Sequence, residues 1–256
     1  MMVALEFKKL KRTGVCPAFI LGGLLAAAIP AANMAFRGDV FTARPQPPME
    51  ILLSANWQMM TMLNMFLIVV GACIMYHTEF ADNAAAKLDA LPTKSQSIYW
   101  GKLSVLAILD GLVVLLETAA LGLCAVIWFH TRIDGALLGE LLLTGAYALA
   151  FMLPVTALML AIASACKNMW ISLGIGVMGI CAVSLIPSAS VFYSIFPFTM
   201  PFGTPEALTG AIDGATGIIA GLRMHWGPLL LAVTALETLV YVLAECAYLN
   251  VRRSFQ

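Results

Sequence analysis

Three carboxylates stand where a carboxylate is expensive. Asp110 and Glu117 lie seven residues apart inside one long apolar run, so a helix there carries both on one face. Glu237 lies near the middle of a second apolar run. A charge at the centre of a bilayer costs at least about 2.5–3.5 kcal/mol, so such side chains face a protein interior or a water-filled cavity. No lysine or arginine falls at comparable depth to pair with them. They are protonated, hydrogen-bonded to backbone or to neighbours such as Thr118, Thr234 and Thr238, or they line a wet path for a cationic substrate. Asp110, Glu117 and Glu237 are therefore the candidate substrate path, with a purely structural role open beside it.

Other reactive groups point to no catalysis. His77, His130 and His225 sit near the ends of apolar runs, and no two are spaced as a helical metal pair. The six cysteines, Cys16, Cys73, Cys124, Cys166, Cys181 and Cys246, form neither a C-x-x-C knuckle nor a disulfide frame. They read as small apolar residues inside helices. The run from Gly174 through Gly176 to Gly179 matches the dinucleotide fingerprint literally, but that motif needs a strand before it and a βαβ unit around it. Inside an apolar run, close helix packing is the better account. There is no G-x-x-x-x-G-K-[ST], H-E-x-x-H or G-x-S-x-G pattern. The chain is expected to be no enzyme, with no catalytic residue, no metal and no directly bound cofactor. If ATP powers it, another polypeptide holds the nucleotide.

The elements that position these residues follow from composition. Of 256 residues 61% are hydrophobic and 11% charged, against about 25% charged in soluble domains. Mean hydropathy is +0.93. This is the composition of an integral membrane protein, and zero net charge with no basic patch excludes nucleic acid as a partner. The start is not a cleavable signal, because its basic part is long and the apolar stretch behind it exceeds the ~7–15 residues of a signal core. The expected fold is all-α, a single permease-like domain over 1–256 with six transmembrane helices. The spans run near Val15–Phe36, Trp57–Tyr76, Leu103–Phe129, Leu137–Ala163, Trp170–Ile186 and Pro228–Ala247, each near the ~20 residues a bilayer requires.

With both termini cytoplasmic, the inner side holds Lys8, Lys9, Lys11, Arg12, Lys87, Lys94, Lys102, Lys167, Arg252 and Arg253. The outer side holds Arg37, Arg44, Arg132 and Arg223, and the opposite orientation reverses this bias. Residues 1–13 place Val3, Phe7 and Leu10 on one face among lysines, the pattern of an interfacial helix on an anionic leaflet. Outside, Arg37–Leu52 reads as a proline-containing loop and His130–Gly135 as a tight turn. The long outer segment 187–227 crowds Phe192, Tyr193, Phe196, Phe198 and Phe202 around Pro197, Pro201 and Pro205. It reads as re-entrant or broken helices before the sixth span.

The polar interruption 77–102 is the longest charged segment on the inner side. Ala84, Ala85 and Ala86 favour helix. Phe80, Ala84, Leu88 and Leu91 recur at helical spacing, and Pro92 ends the run. The spacing predicts a short amphipathic helix suited to docking in a groove. With the basic start, six spans and long outer segment, this loop resembles the permease subunits of type-2 ABC transporters, closest to the small permeases of lantibiotic immunity and bacitracin export. The resemblance covers essentially the whole chain. It is carried by Glu79 to Lys102, where Glu79, Lys87, Leu91, Pro92, Lys94, Tyr99, Gly101 and Lys102 stand at the family's positions, and by the opening Leu5–Arg12.

The resemblance implies a permease in the bacterial cytoplasmic membrane that exports a lantibiotic or similar peptide antibiotic for self-protection. It implies two ABC ATPase subunits carrying ATP and Mg, and a second permease, commonly a different chain though an identical one also fits. Glu79, Phe80, Asn83, Ala84, Lys87, Leu88 and Leu91 would form the ATPase-coupling contact. Two other classes compete: an ion-coupled carrier using the three intramembrane acids as a proton relay, and a membrane scaffold without cargo. The first expects repeat-related halves, which the chain lacks.

Overall fold

The computed structural model describes residues 2–11, 13–81, 95–183, 185–186, 195–205 and 227–254. Seven α-helices account for most of them: α1 (Met2–Leu10), α2 (Val15–Thr42), α3 (Pro48–Ala81), α4 (Ser95–Trp128), α5 (Gly135–Ala165), α6 (Met169–Val183) and α7 (Gly227–Ser254). No strand occurs among the described residues. By length and composition α2, α3, α4, α5 and α7 can each cross a bilayer. In the place of the expected fifth span stands the apolar helix α6, with 15 residues, about 22 Å, against a hydrocarbon core of about 30 Å; residue 184, just beyond it, lies outside the described residues.

Helices outrun their apolar stretches. The expected loop Arg37–Leu52 is mostly helical, since α2 continues to Thr42 and α3 begins at Pro48. Pro48 takes the first helical position, where a missing N–H loses no hydrogen bond. Arg37 departs from helical dihedrals at φ −133° and ψ 16°, so α2 kinks where its apolar run ends. Ser95–Lys102, expected in the inner loop, is the first part of α4. At the start of α5 the Asp134 carboxylate accepts from the Leu137 N–H at 2.9 Å, occupying a donor the helix cannot use.

α1 forms as the periodicity predicts, but its apolar face turns toward the protein. Leu10 is buried in the core and Val3 and Phe7 pack against it. Gly14, at φ +76°, makes the left-handed turn that folds α1 back on the bundle. The apolar side of the expected interfacial helix thus packs on the bundle, with Val3 and Phe7 partly buried and Leu5 left exposed.

Two apolar clusters fill the bundle. One, around Phe19, Met75, Tyr99 and Met159, joins α2 to α5 near the α1 end. The other, around Met34, Leu52, Trp57 and Leu121, lies toward the far end. Gly176 and Gly179 meet the packing expectation: a Cβ on Gly176 would stand 2.5 Å from Val69 Cγ1, and one on Gly179 2.6 Å from Phe198 Cε2. Gly174 has nothing within 4 Å.

Tertiary bonds gather the chain ends. Lys9 meets Glu79, the Gln96 amide donates to Asn250 at 3.1 Å, and Ser164 donates to Glu245 at 2.6 Å. α1, the ends of α3, α5 and α7, and the start of α4 therefore share one end of the bundle. Of the outer segment, 195–205 forms an irregular turn with a 3-10 piece, Met200–Gly203, whose Met200 and Pro201 are buried. The Trp57 indole N–H holds it by donating to the Pro201 carbonyl at 2.9 Å. Phe192, Tyr193 and the re-entrant helices expected elsewhere in 187–227 lie outside the described residues.

Candidate functional site

The strongest concentration of charge lies where the 82–94 loop leaves the bundle. Glu79 ends α3 and Lys102 lies two turns into α4. Lys102 Nζ stands 2.8 Å from Glu79 Oε1 and 3.3 Å from Glu6 Oε2. Lys9 Nζ stands 2.6 Å from Glu6 Oε1 and 3.0 Å from Glu79 Oε1. The four side chains close a ring of alternating sign, joining α1, α3 and α4. Lys102 also donates to the Met75 carbonyl at 3.0 Å and lies 4.8 Å from the centre of the Tyr76 ring. Its ammonium thus donates to Glu6 and to the Met75 carbonyl and pairs in charge with Glu79.

Burial makes the ring consequential. Lys102 and Glu6 are each 1% exposed. A buried ion pair stabilises little against an apolar alternative, but removing one partner strands the other charge. The ring therefore specifies how α1 sits across the mouth of the α3–α4 hairpin. Lys9 is the solvent-facing member. Burial pulls its ammonium down, but the hydrogen bonds and charges of Glu6 and Glu79 outweigh it and hold it above the ordinary lysine value.

The expected contact residues divide here. Glu79 belongs to the ring. Phe80 packs against the core and stacks on Tyr76 with ring centres 6.4 Å apart. It belongs to the last turn of α3, not to a separate loop helix, because the α3 backbone runs unbroken to Ala81. Asn83, Ala84, Lys87, Leu88 and Leu91 lie outside the described residues. Sequence reasoning missed Glu6 as a site residue. Its signal was present: Glu6 stands among Val3, Phe7 and Leu10 on the apolar face of α1, a position that calls for a buried partner.

The three intramembrane acids do not form one site. Asp110 and Glu117 are buried on α4, about 10 Å apart along the helix. Glu237 lies on α7, half-buried, with Tyr241 as its neighbour. Thr118, Thr234 and Thr238 give their hydroxyls to the backbone of their own helices and not to these acids. α4, α5 and α7 border a cavity of about 780 Å³, lined by Trp100, Leu153, Thr234 and Thr238 among others. No three His, Cys, Asp or Glu side chains gather to hold a metal ion among the described residues.

Five helices long and apolar enough to cross a bilayer, with an ion-pair ring at one end of the bundle, define a multi-pass membrane protein. A family model described as ABC-2 family transporter protein matches residues 2–183, and the chain belongs to that family. ABC-2 proteins are the transmembrane components of ABC transporters and typically work with an ATPase partner. No protein of curated function matches the chain.

Proposed function

We propose that this chain is the permease subunit of an ATP-driven exporter in the bacterial cytoplasmic membrane, expelling a lantibiotic or similar peptide antibiotic to protect the cell. Two ATPase subunits, carrying ATP and Mg, bind on the side of the 82–94 loop. A second permease, different from this chain or a copy of it, completes the path.

The observation that carries the reading is the position of the ion-pair ring. It ties both ends of the 82–94 loop, through Glu79 and Lys102, to α1 and to the two longest helices. A load on that loop passes directly into α3 and α4. ATP-driven closure of the ATPases would bias the helices through this contact. The lysine excess at the α1 end supports a cytoplasmic location for it. α7 offers an apolar face, with Leu236, Leu239 and Leu243 more than half exposed, suited to lipid or to a second permease.

Co-expression with the ATPase encoded beside the chain tests the motor assignment. Wild-type protein should co-purify with the ATPase, and scrambling Asn83–Leu91 should abolish the complex while leaving the permease folded. Undiminished binding by the scrambled chain overturns it. Cells carrying the whole system should resist a lantibiotic, and unchanged sensitivity overturns the cargo assignment alone.

A further inference from the structure

α7 packs mainly on α5 and only lightly on α4. Small side chains, Ala150 on α5 and Ala235 on α7, leave the angle between the three helices open as the cavity of about 780 Å³. Leu103, Thr234 and Val242 form its floor, at 7%, 2% and 5% exposed. Trp100, Leu239 and Leu243 are at least half exposed and form its rim.

The dimensions decide what fits. α7 lines the groove from Leu231 to Cys246, about 22 Å of helix. Spread over that length, 780 Å³ gives a bore averaging about 7 Å across. A helix with its side chains needs about 10–12 Å, so neither a span of a second copy nor a helical peptide seats in it. A hydrocarbon chain, a single file of carbons in contact at about 3.5–4.0 Å, does.

The lining chemistry agrees. No charged side chain lines the groove. The Thr234 and Thr238 hydroxyls donate to the Leu230 and Thr234 carbonyls of their own helix, each at 2.7 Å, so their protons are spent. Polarity is confined to the α1 end of the bundle. There Gln96, hydrogen-bonded to Asn250, and the Trp100 indole stand at the mouth, and tryptophan suits the headgroup boundary. A polar mouth on a long apolar bore has the polarity of an amphiphile.

We infer that the α4–α5–α7 groove is a lipid site, holding one acyl chain of a phospholipid from the leaflet at the α1 end. The headgroup stays beside Gln96 and Trp100, and the tail runs between α4 and α7 toward Leu231. Leu239 and Leu243 belong both to the groove and to the exposed face of α7, so the tail enters sideways from the bilayer past no polar barrier. Entry gains no hydrophobic burial, because lipid tails are as apolar as leucine. Contact holds the tail: an empty bore leaves its lining without dispersion partners on one side. The seated tail fills the gap that separates α7 from α4. This site stands whatever the motor and the cargo are.

The test uses the full chain in phosphatidylcholine vesicles doped with phosphatidylcholine that carries a photoreactive diazirine midway along one acyl chain. After irradiation, mass spectrometry locates the lipid adducts. Leu236, 61% exposed and outside the groove, reports the surrounding bilayer. Adducts should form at Leu236 and also on the floor, at Leu103 or Val242. Ala235→Phe, which fills the bore from an exposed position, should remove the floor adducts and keep those at Leu236. A wild-type chain labelled at Leu236 with its floor bare overturns the proposal and needs no variant. Floor labelling unchanged in Ala235→Phe overturns it as well. A disulfide dimer formed through Val242→Cys, in a chain whose other cysteines are replaced by serine, places a second copy in the groove and also overturns it.

Discussion

Lys102 and Glu79 meet at 2.8 Å across the opening of the α3–α4 hairpin, with Lys102 almost wholly inaccessible to solvent. Glu79 lies in the last turn of α3 and Lys102 in the second turn of α4, with 22 residues of chain between them, 80–101. The pair thus fastens the end of α3 to the start of α4.

Lys102→Met should destabilise the purified chain by about 3–5 kcal/mol, because Glu6 and Glu79 are left buried without that cation. Adding Glu6→Gln and Glu79→Gln should recover part of the loss, since the stranded charges are then removed. Thermal unfolding in detergent reads both. Equal stability of Lys102→Met and wild type would show that the ring is not closed in solution.

The docking of α1 should be flat across neutral and mildly alkaline pH. Lys9 is held above its ordinary value of 10.5. A raised lysine contributes stability that is fully present below the unfolded value and is lost as pH rises through the folded one. Loosening through Lys9 therefore begins only above pH 10.5. A fluorophore at Leu5→Cys in a chain without other cysteines reports it, and Lys9→Gln should abolish that alkaline step.

Gly176→Ala should cost about 1–3 kcal/mol by overpacking, because its new carbon falls 2.5 Å from Val69 Cγ1 and 2.8 Å from Met159 Cε. Gly174→Ala meets nothing within 4 Å and should be neutral or slightly stabilising. Melting temperatures of the two variants separate a packing role from a general intolerance of the helix.

Trp57→Phe keeps most of the ring area but deletes the donor to Pro201. The Pro201 carbonyl still accepts from the Thr204 hydroxyl at 3.1 Å, so losing the indole bond should cost about 0.5–1.5 kcal/mol. Hydrogen exchange should rise at 199–205 while the middle of α3 stays protected. Unchanged exchange there would mean that burial of Met200 and Pro201 holds the turn without the bond.

The helices themselves were legible because hydropathy is a local property, and each long run had to bury its backbone polar groups within itself. Their ends were less legible. The edge of the apolar run and the end of the helix are set by different forces, and α2 and α3 continue past the first, up to a five-residue connection at 43–47. Likewise Phe80 carries helical periodicity with Ala84 and Leu88, but the same spacing continues α3, so pattern alone did not mark the boundary.

The sequence by itself determined the class of molecule, the order of its helices and the shared face of Asp110 and Glu117, since all of these depend on neighbours within a few turns. Tertiary structure alone decided the partnerships: Glu6 with Lys102 across 96 positions and Trp57 with Pro201 across 144. A charge in an apolar surrounding must find a partner, and which partner depends on which helix faces pack together. That choice is made by the summed contacts of whole helices, and no single stretch of chain encodes it.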